Sequence, residues 1–518
     1  MPTPPSSSRE DYTIFAFDNR SIPFTRNLKL EMNTPERHPD NPVMARGKPG
    51  TPDCHGIQFY GSIVKDNGLY RMWYVAMDEE HCEMSERKDV FRPAYAESTD
   101  GVSWTRPSLG LIEYKGNLQN NLLKVSPGPM GFINLKVLME PDDPDPQKRY
   151  KMSAQTWMHS ESGFGRGTLV TLYSADGLSW TLIQKFDPIK GAMPIEATCL
   201  PPYHFEAAGG LYKWQGKYYA TGQGCSDHNL HSVRPYSGRE VLIHRSADFV
   251  NWSPTAHVGF MREGQYRKFN CGLEEETHEG VSVWNRNNVL LGFHGVWHGA
   301  KEWKDITIDI GFSISNDGLN FREPVTEHIF LKNGKDGEWD QGGLMQGQGF
   351  ENVGGKTYIY YGSWDPRPSN EVAGFVYPPR GGLGLATLER DRFGYLCLRK
   401  ESTVADFITA GISLVRAGPL KVFINATGLS ENANLRIEIL DELERPLPSY
   451  SDSRAAIINQ NGLRVRAIFA TELKSEALPS TIRLRVAFEG AGSHQIKFSA
   501  LYLSMNPDQD DPASNLSA

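Results

Sequence analysis

A short strand pattern rich in aromatic residues recurs along most of the chain. It appears at Gly68–Ala76 (GLYRMWYVA), Lys148–Thr156 (KRYKMSAQT), Gly216–Gly224 (GKYYATGQG), Asn288–Val296 (NVLLGFHGV) and Lys356–Trp364 (KTYIYYGSW). Another strand-like segment precedes each copy, at Gly56–Val64, Asn134–Glu140, Ala207–Trp214, Gly280–Asn287 and Gly347–Gly354. A turn phrase follows four of them: Ser98–Trp104 (STDGVSW), Ser174–Trp180 (SADGLSW), Ser246–Trp252 (SADFVNW) and Ser315–Phe321 (SNDGLNF), spaced 76, 72 and 69 residues apart. Asp-Gly favours a tight turn because Gly accepts positive φ. Leu385–Phe393 is a degenerate fifth copy. Strands and turns keeping one long period read as a repeat architecture of about four strands per unit, the anatomy of a propeller blade.

The pattern therefore predicts an all-β chain: a five-bladed β-propeller over residues 50–400. Beyond Lys400 the period changes. Pro419–Ala426, Leu435–Leu440, Gly462–Ala470 and Thr481–Phe488 alternate apolar and polar residues, which predicts a half-buried antiparallel sheet and hence a β-sandwich over residues 401–505. Residues 1–49 form a lead-in expected to pack on the propeller or to close its last blade. Residues 506–518 are acidic and Pro-containing, and are expected to be disordered.

Composition narrows the function classes. The 518 residues carry a formal net charge of −8, which disfavours nucleic acid or an anionic membrane surface as a partner. No apolar run is long enough to span a bilayer. Met1–Tyr12 has no signal-peptide core, so the expectation is a cytoplasmic protein, or a secreted one whose signal has been removed. The six cysteines show no paired spacing and no C-x-x-C, which suits a reducing compartment and offers no metal motif. No cofactor is expected, although a structural calcium would be compatible with a propeller. The oligomeric state is left open.

Residues just before the inner strands converge on a propeller's axis. They are Asp53 and His55 in blade one, Asn134 in blade two and Glu206 in blade three. Blade four supplies Glu276, His278 and Glu279, with Trp297 and His298 at the end of its second strand, and blade five supplies Asp340. Several carboxylates facing one cavity suit glycosidic cleavage, in which one carboxylic acid protonates the leaving oxygen and one carboxylate attacks or activates water. Phe205 and Ala207 beside Glu206 are expected to keep it protonated.

Three short elements resemble a known family. Asp53-Cys-His-Gly56 resembles the D-P-N-G element of glycoside hydrolase family 32, Phe132–Met139 (FINLKVLM) resembles its F-R-D-P-K-V-F-W element, and His204-Phe-Glu-Ala207 resembles its W-E-C-P element. They occur in the family's order, with a sandwich following. The resemblance implies Asp53 as nucleophile, or as base if the reaction inverts as in the related family 43, and Glu206 as general acid/base. Asn134 stands where the family has a charged stabiliser; it can bond a sugar hydroxyl without bringing charge. The remaining residues would contact a carbohydrate substrate, and the funnel shape suggests exo action. Two alternatives stay open. One is a non-catalytic sugar-binding propeller. The other is a lyase or phosphorylase; a phosphorylase would want an anion cluster in the funnel, and only Arg267, Lys268 and Arg286 lie near the candidate loops.

Overall fold

The computed structural model describes residues 12–78, 91–128, 130–160, 163–189, 192–201, 203–225, 239–262, 275–300, 302–326, 328–367, 381–400, 404–414 and 418–504. The fold is all-β. Five antiparallel meanders follow one another, here called blades one to five. Their inner strands are Gly56–Asp66, Asn134–Met139, Leu211–Trp214, Glu275–Asn285 and Leu344–Val353. Each pairs with a second strand, respectively Leu69–Met77, Tyr150–Ser160, Lys217–Cys225, Leu290–His298 and Lys356–Ser363. Third strands follow at Phe91–Ser98, Gly163–Ser174, Arg239–Ser246, Thr307–Ser315 and Gly382–Glu389. The inner strands touch in a closed ring, with blade five returning to blade one through parallel pairs at Gln348–Ser62 and Gly349–Ile63.

The lead-in divides its strands between the two parts of the molecule. Glu36–Arg37 and Met44–Ala45 pair with Gly382–Glu389 and complete the outer side of blade five. Tyr12–Phe15 and Leu28–Met32 join one sandwich sheet, and Phe24–Arg26 joins the other. The first of these sheets also holds Gly394–Leu398, Lys497–Ser504, Lys421–Thr427 and Gly462–Arg466. The second holds Asp406–Ile408, Thr481–Glu489, Asn434–Leu440 and Ala456–Ile458. The period-two pattern is visible in Thr481–Glu489, where every second residue is buried. Ile482, Leu484, Val486 and Phe488 enter the core between the sheets.

Apolar faces of neighbouring blades pack against each other, so each seam holds its own core. Trp73 and Val170 share the seam of blades one and two, Leu169 and Tyr218 that of two and three, and Tyr219 and Val283 that of three and four. Phe293 and Tyr361 share the seam of four and five, and Tyr74 and Leu383 that of five and one. Burying each such side chain contributes roughly 1.5–3 kcal/mol.

The repeated turn is an Asp-capped loop. Asp100 Oδ1 accepts the amides of Val102 and Ser103, both at 2.7 Å, and Ser98 Oγ accepts that of Gly101 at 2.9 Å. Asp176, Asp248 and Asp317 repeat the arrangement. Gly101, Gly177 and Gly318 have φ of 79°, 77° and 79°, which explains the glycine, although Phe249 holds 67° in blade three. The glycine carbonyl receives a side chain from the preceding blade: Trp73 Nε1 donates to Gly177 O at 2.6 Å, Tyr212 Oη to Gly318 O at 2.7 Å and Tyr360 Oη to Gly101 O at 2.8 Å. The last of these bonds closes blade five onto blade one.

Candidate active site

Each blade sends a polar residue from its inner side toward the axis: Gln58, Asn134, Glu206, His278 and Gln346. Bulges re-aim three of them, because the register of the inner strand shifts between Gln58 and Ser62, His278 and Val281, and Gln346 and Phe350. Three of these side chains make buried hydrogen bonds near the axis. Gln58 Nε2 donates to Ile133 O, Asn134 Nδ2 to Gln155 Oε1 at 2.7 Å, and Gln346 Nε2 to His278 O at 2.7 Å. Three buried amide oxygens, Gln58 Oε1, Asn134 Oδ1 and Gln346 Oε1, have no protein partner among the described residues. Buried acceptors need donors, and water or ligand hydroxyls can supply them.

Lys136 lies beneath this belt and is fully buried, with Nζ 3.4 Å from Gly61 O and 3.5 Å from Gln346 O. Burial pushes its ammonium well below the usual lysine range, and the charge of Glu279 opposes that only in part. It belongs to the Phe132–Met139 element, yet the sequence reading assigned it no role.

Glu206 is the half-buried carboxylate of the site, its side chain 25% exposed. His204 Nε2 lies 3.2 Å from Glu206 Oε1, while His204 Nδ1 accepts the Gly167 amide at 3.0 Å. With Nδ1 accepting, Nε2–H is the donor to Glu206. Gln223 Nε2 donates to Glu206 Oε2, and Gln223 Oε1 accepts the Glu279 amide at 2.9 Å. One side-chain amide thus links the Glu206 carboxylate of blade three to the Glu279 backbone of blade four. Burial alone would raise the Glu206 carboxyl. His204 above all, with the nearby Arg239 and His278, outweighs it and holds the group below the usual glutamate range. This corrects the expectation of a protonated Glu206: Phe205 and Ala207 are its neighbours in sequence, but His204 and Gln223 meet its oxygens.

Glu279 sits at the bulge with φ 59°, followed by Gly280 at 77°. A non-glycine residue in the left-handed region is strained, and such residues concentrate at functional sites. A Cβ on Gly280 would lie 2.9 Å from Gly222 Cα and 3.0 Å from Gly209 Cα, so close backbone packing holds the bulge in place. Beside it, the ring of His278 is near-parallel to Trp297 (5.1 Å, 28°) and Trp364 (5.9 Å, 29°), and Nδ1 is 3.2 Å from Tyr60 Oη. Arg239 lies 4.1 Å over Trp297, and its Nε is 3.5 Å from Glu276 Oε2. Glu276, His278, Glu279 and Trp297 are therefore gathered in one place. Sequence reasoning missed Tyr60, Lys136, Gln155, His204, Gln223, Arg239 and Trp364. Gln223 and Trp364 lay within the repeated strand, where they read as scaffold.

Asp53 and Asp340 are placed elsewhere. Asp53 is fully buried; its Oδ2 accepts Arg106 Nε at 2.6 Å and Tyr74 Oη at 2.9 Å. Tyr74 packs against Leu383 and Leu385 of blade five, and Arg106 reaches Ala45 O. Asp53 thus occupies the seam between blades one and five, and no hydrogen bond or ion pair joins it to Glu206. Asp340 repeats the design in the seam of blades four and five, accepting Arg37 Nε at 2.8 Å and Tyr361 Oη at 3.0 Å. In both clips the tyrosine follows the aspartate by 21 residues. A third clip reverses the charges, with Arg262 just after the outer strand of blade three, His294 from the second strand of blade four and Glu323 two residues beyond its repeated turn.

His55 enters blade one through its amide, which donates to Met77 O at 2.9 Å. His298 is held between Asp309 (2.9 Å) and Glu275 (3.1 Å). Arg286 bonds Asp391 at 2.5 and 3.0 Å, in the contact between blade four and the sandwich, while Arg267 and Lys268 lie outside the described residues. Among the described residues no group of three or more His, Cys, Asp or Glu is placed to hold a metal ion.

No known family profile matches the chain, and no curated protein matches it. Solved structures do. A glycosyl hydrolase from Bacteroides ovatus aligns at 16% identity and TM-score 0.42, over 70% of this chain and 95% of its own. A member of the GH130 family of mannoside phosphorylases, which contains glycoside hydrolases that target β-1,2 mannosidic linkages in Candida mannan, aligns with the same four values. A glycoside hydrolase family 43 arabinoxylan arabinofuranohydrolase from Bacillus subtilis aligns at 10% identity and TM-score 0.37, over 87% of this chain and 96% of its own.

Proposed function

We propose that the chain is a carbohydrate-active enzyme of the glycoside hydrolase type, acting at the axis on one glycosidic bond. The observation that carries this reading is the Glu206–Gln223–Glu279 link, in which one side-chain amide ties the Glu206 carboxylate of blade three to the backbone N–H of Glu279 in blade four. Glycosidic cleavage uses two carboxyl groups in different protonation states. Glu206, held ionised, is the base or nucleophile. Glu279, on the adjacent blade and 3.8 Å from His278 Nε2, is the acid partner. The amide oxygens of Gln58, Asn134 and Gln346 receive substrate hydroxyls, and Trp297 and Trp364 form the apolar wall. The family 32 resemblance enters this reading through His204–Ala207 and Phe132–Met139. Its assignment of Asp53 as nucleophile is replaced, because Arg106 and Tyr74 occupy that carboxylate.

The test is turnover of aryl glycosides and oligosaccharides by the parent chain, Glu206→Gln and Glu279→Gln, each with and without inorganic phosphate. Loss of turnover in both variants is expected. Turnover that requires phosphate would move the reading to a phosphorylase. Near-parental rates in both variants would remove the pair from the chemistry.

A further inference from the structure

The clip between blades three and four differs from the other two: it is open. At the outer edge of that seam the sheets part around a cavity of about 340 Å³. Its apolar walls are Phe260, from the outer strand of blade three, and Phe321, from the repeated turn of blade four. Its polar wall includes Arg322 and Glu323. In the seams of blades five–one and four–five, carboxylate and guanidinium meet at 2.6 and 2.8 Å. Here Arg262 Nη1 and Glu323 Oε1 stand 3.7 Å apart, beyond a hydrogen bond.

Both polar lining groups keep unused capacity. Glu323 Oε1 faces His294 Nε2 at 3.2 Å, and Oε2 has no protein partner among the described residues. Arg322 commits Nε to Asn19 and Nη2 to Asp18 and Asn316, while Nη1 is buried without an acceptor. A buried donor left unmade is costly, so a group that reaches it is favoured. The formal charges of Arg262 and Arg322 are offset by Glu275, Glu323 and Asp18, so nothing selects a charged ligand. What fits is a neutral molecule with hydroxyl donors, oxygen acceptors and a C–H face for two phenyl rings. The volume lies at the lower end of the roughly 300–1,000 Å³ range of small-molecule sites, which suits a single ring.

We propose that this crevice is a second, non-catalytic site that binds one neutral sugar unit, apart from the axis. Arg322 and Glu323 read its hydroxyls, and Phe260 and Phe321 pack on its C–H faces. The proposal stands independently of the chemistry assigned to Glu206.

Met261 and Thr326 also line the crevice. The full chain, labelled at its methionine methyl groups, is titrated with methyl glycosides of glucose, galactose, mannose, xylose and arabinose. The Met261 resonance, assigned through Met261→Leu, is expected to move saturably with at least one glycoside, with Kd of about 1–10 mM. Thr326 is exposed, so Thr326→Trp can plug the crevice without entering the core. It should weaken this response at least ten-fold. Glu323→Gln, which keeps an oxygen for His294, should weaken it several-fold, and Glu206→Gln should leave it unchanged. A Met261 signal unmoved by every glycoside up to about 50 mM, or moving with one midpoint in parent, Thr326→Trp and Glu323→Gln, overturns the proposal. A response lost in Glu206→Gln would assign it to the axis and overturn it as well.

Discussion

Glu206 and Glu279 share Gln223: its Nε2 donates to the Glu206 carboxylate, and its Oε1 accepts the Glu279 amide at 2.9 Å. An amide can serve both because it is donor at one end and acceptor at the other. The link orients Glu206 while fixing the strained backbone of Glu279.

Glu206→Gln and Glu279→Gln should each lower turnover by about 10²–10⁴-fold on any glycoside the parent cleaves, the usual weight of a positioned acid or base. Circular dichroism should remain parental, since both side chains sit at the axis and outside the seam cores. Gln223→Leu should reduce kcat more than it raises KM, because it disturbs the position of the two groups and not the contacts to substrate.

Asp53→Ala should cost about 3 kcal/mol in urea denaturation, because it leaves Arg106 partly buried and unpaired. Tyr74→Phe should cost about 1 kcal/mol. Activity per folded molecule should persist in both. A thousand-fold loss of turnover in a fully folded Asp53→Asn would restore Asp53 to the chemistry.

Asp391 should make stability fall at acid pH. Arg286, Asn352 and Tyr502 contact its carboxylate, and burial, which would raise it, is outweighed, so the group is held at about 2 against an ordinary 3.8. A depressed carboxyl contributes its full stability above its unfolded value and loses it as pH drops through the folded one. The parent should therefore lose on the order of 2 kcal/mol between about pH 4 and pH 2 that Asp391→Asn does not lose. Urea midpoints at several pH values decide this.

Lys136→Met should raise thermal stability at neutral pH, since the methionine fills the space without a buried amine. Burial depresses the Lys136 ammonium, so the unfolded chain binds its proton more readily. Parental stability should then rise with pH on the approach to the ordinary lysine value of 10.5, and the variant should lack that rise. Matched melting curves from neutral to alkaline pH test the sign.

The all-β fold was legible in the sequence because its signals are local. A pleated strand shows its buried face as period-two alternation, as in Thr481–Glu489, and the repeated turn needs only Ser, Asp and a residue tolerating positive φ. The same local signals placed Glu206, His278 and Glu279 just before or within inner strands. They could not say which carboxylates would be used up by neighbours. Asp53 resembles a nucleophile in its own segment, and only folding brings Arg106, 53 residues away, onto its oxygen. Asp340 is taken by Arg37, 303 residues away, because the lead-in supplies the outer strand of blade five. The charge state of Glu206 depends likewise on His204, Arg239 and His278, which folding brings to its carboxylate. Ion pairing and hydrogen bonding act through space at a few ångströms, so only the tertiary structure decided which acids remain available for chemistry.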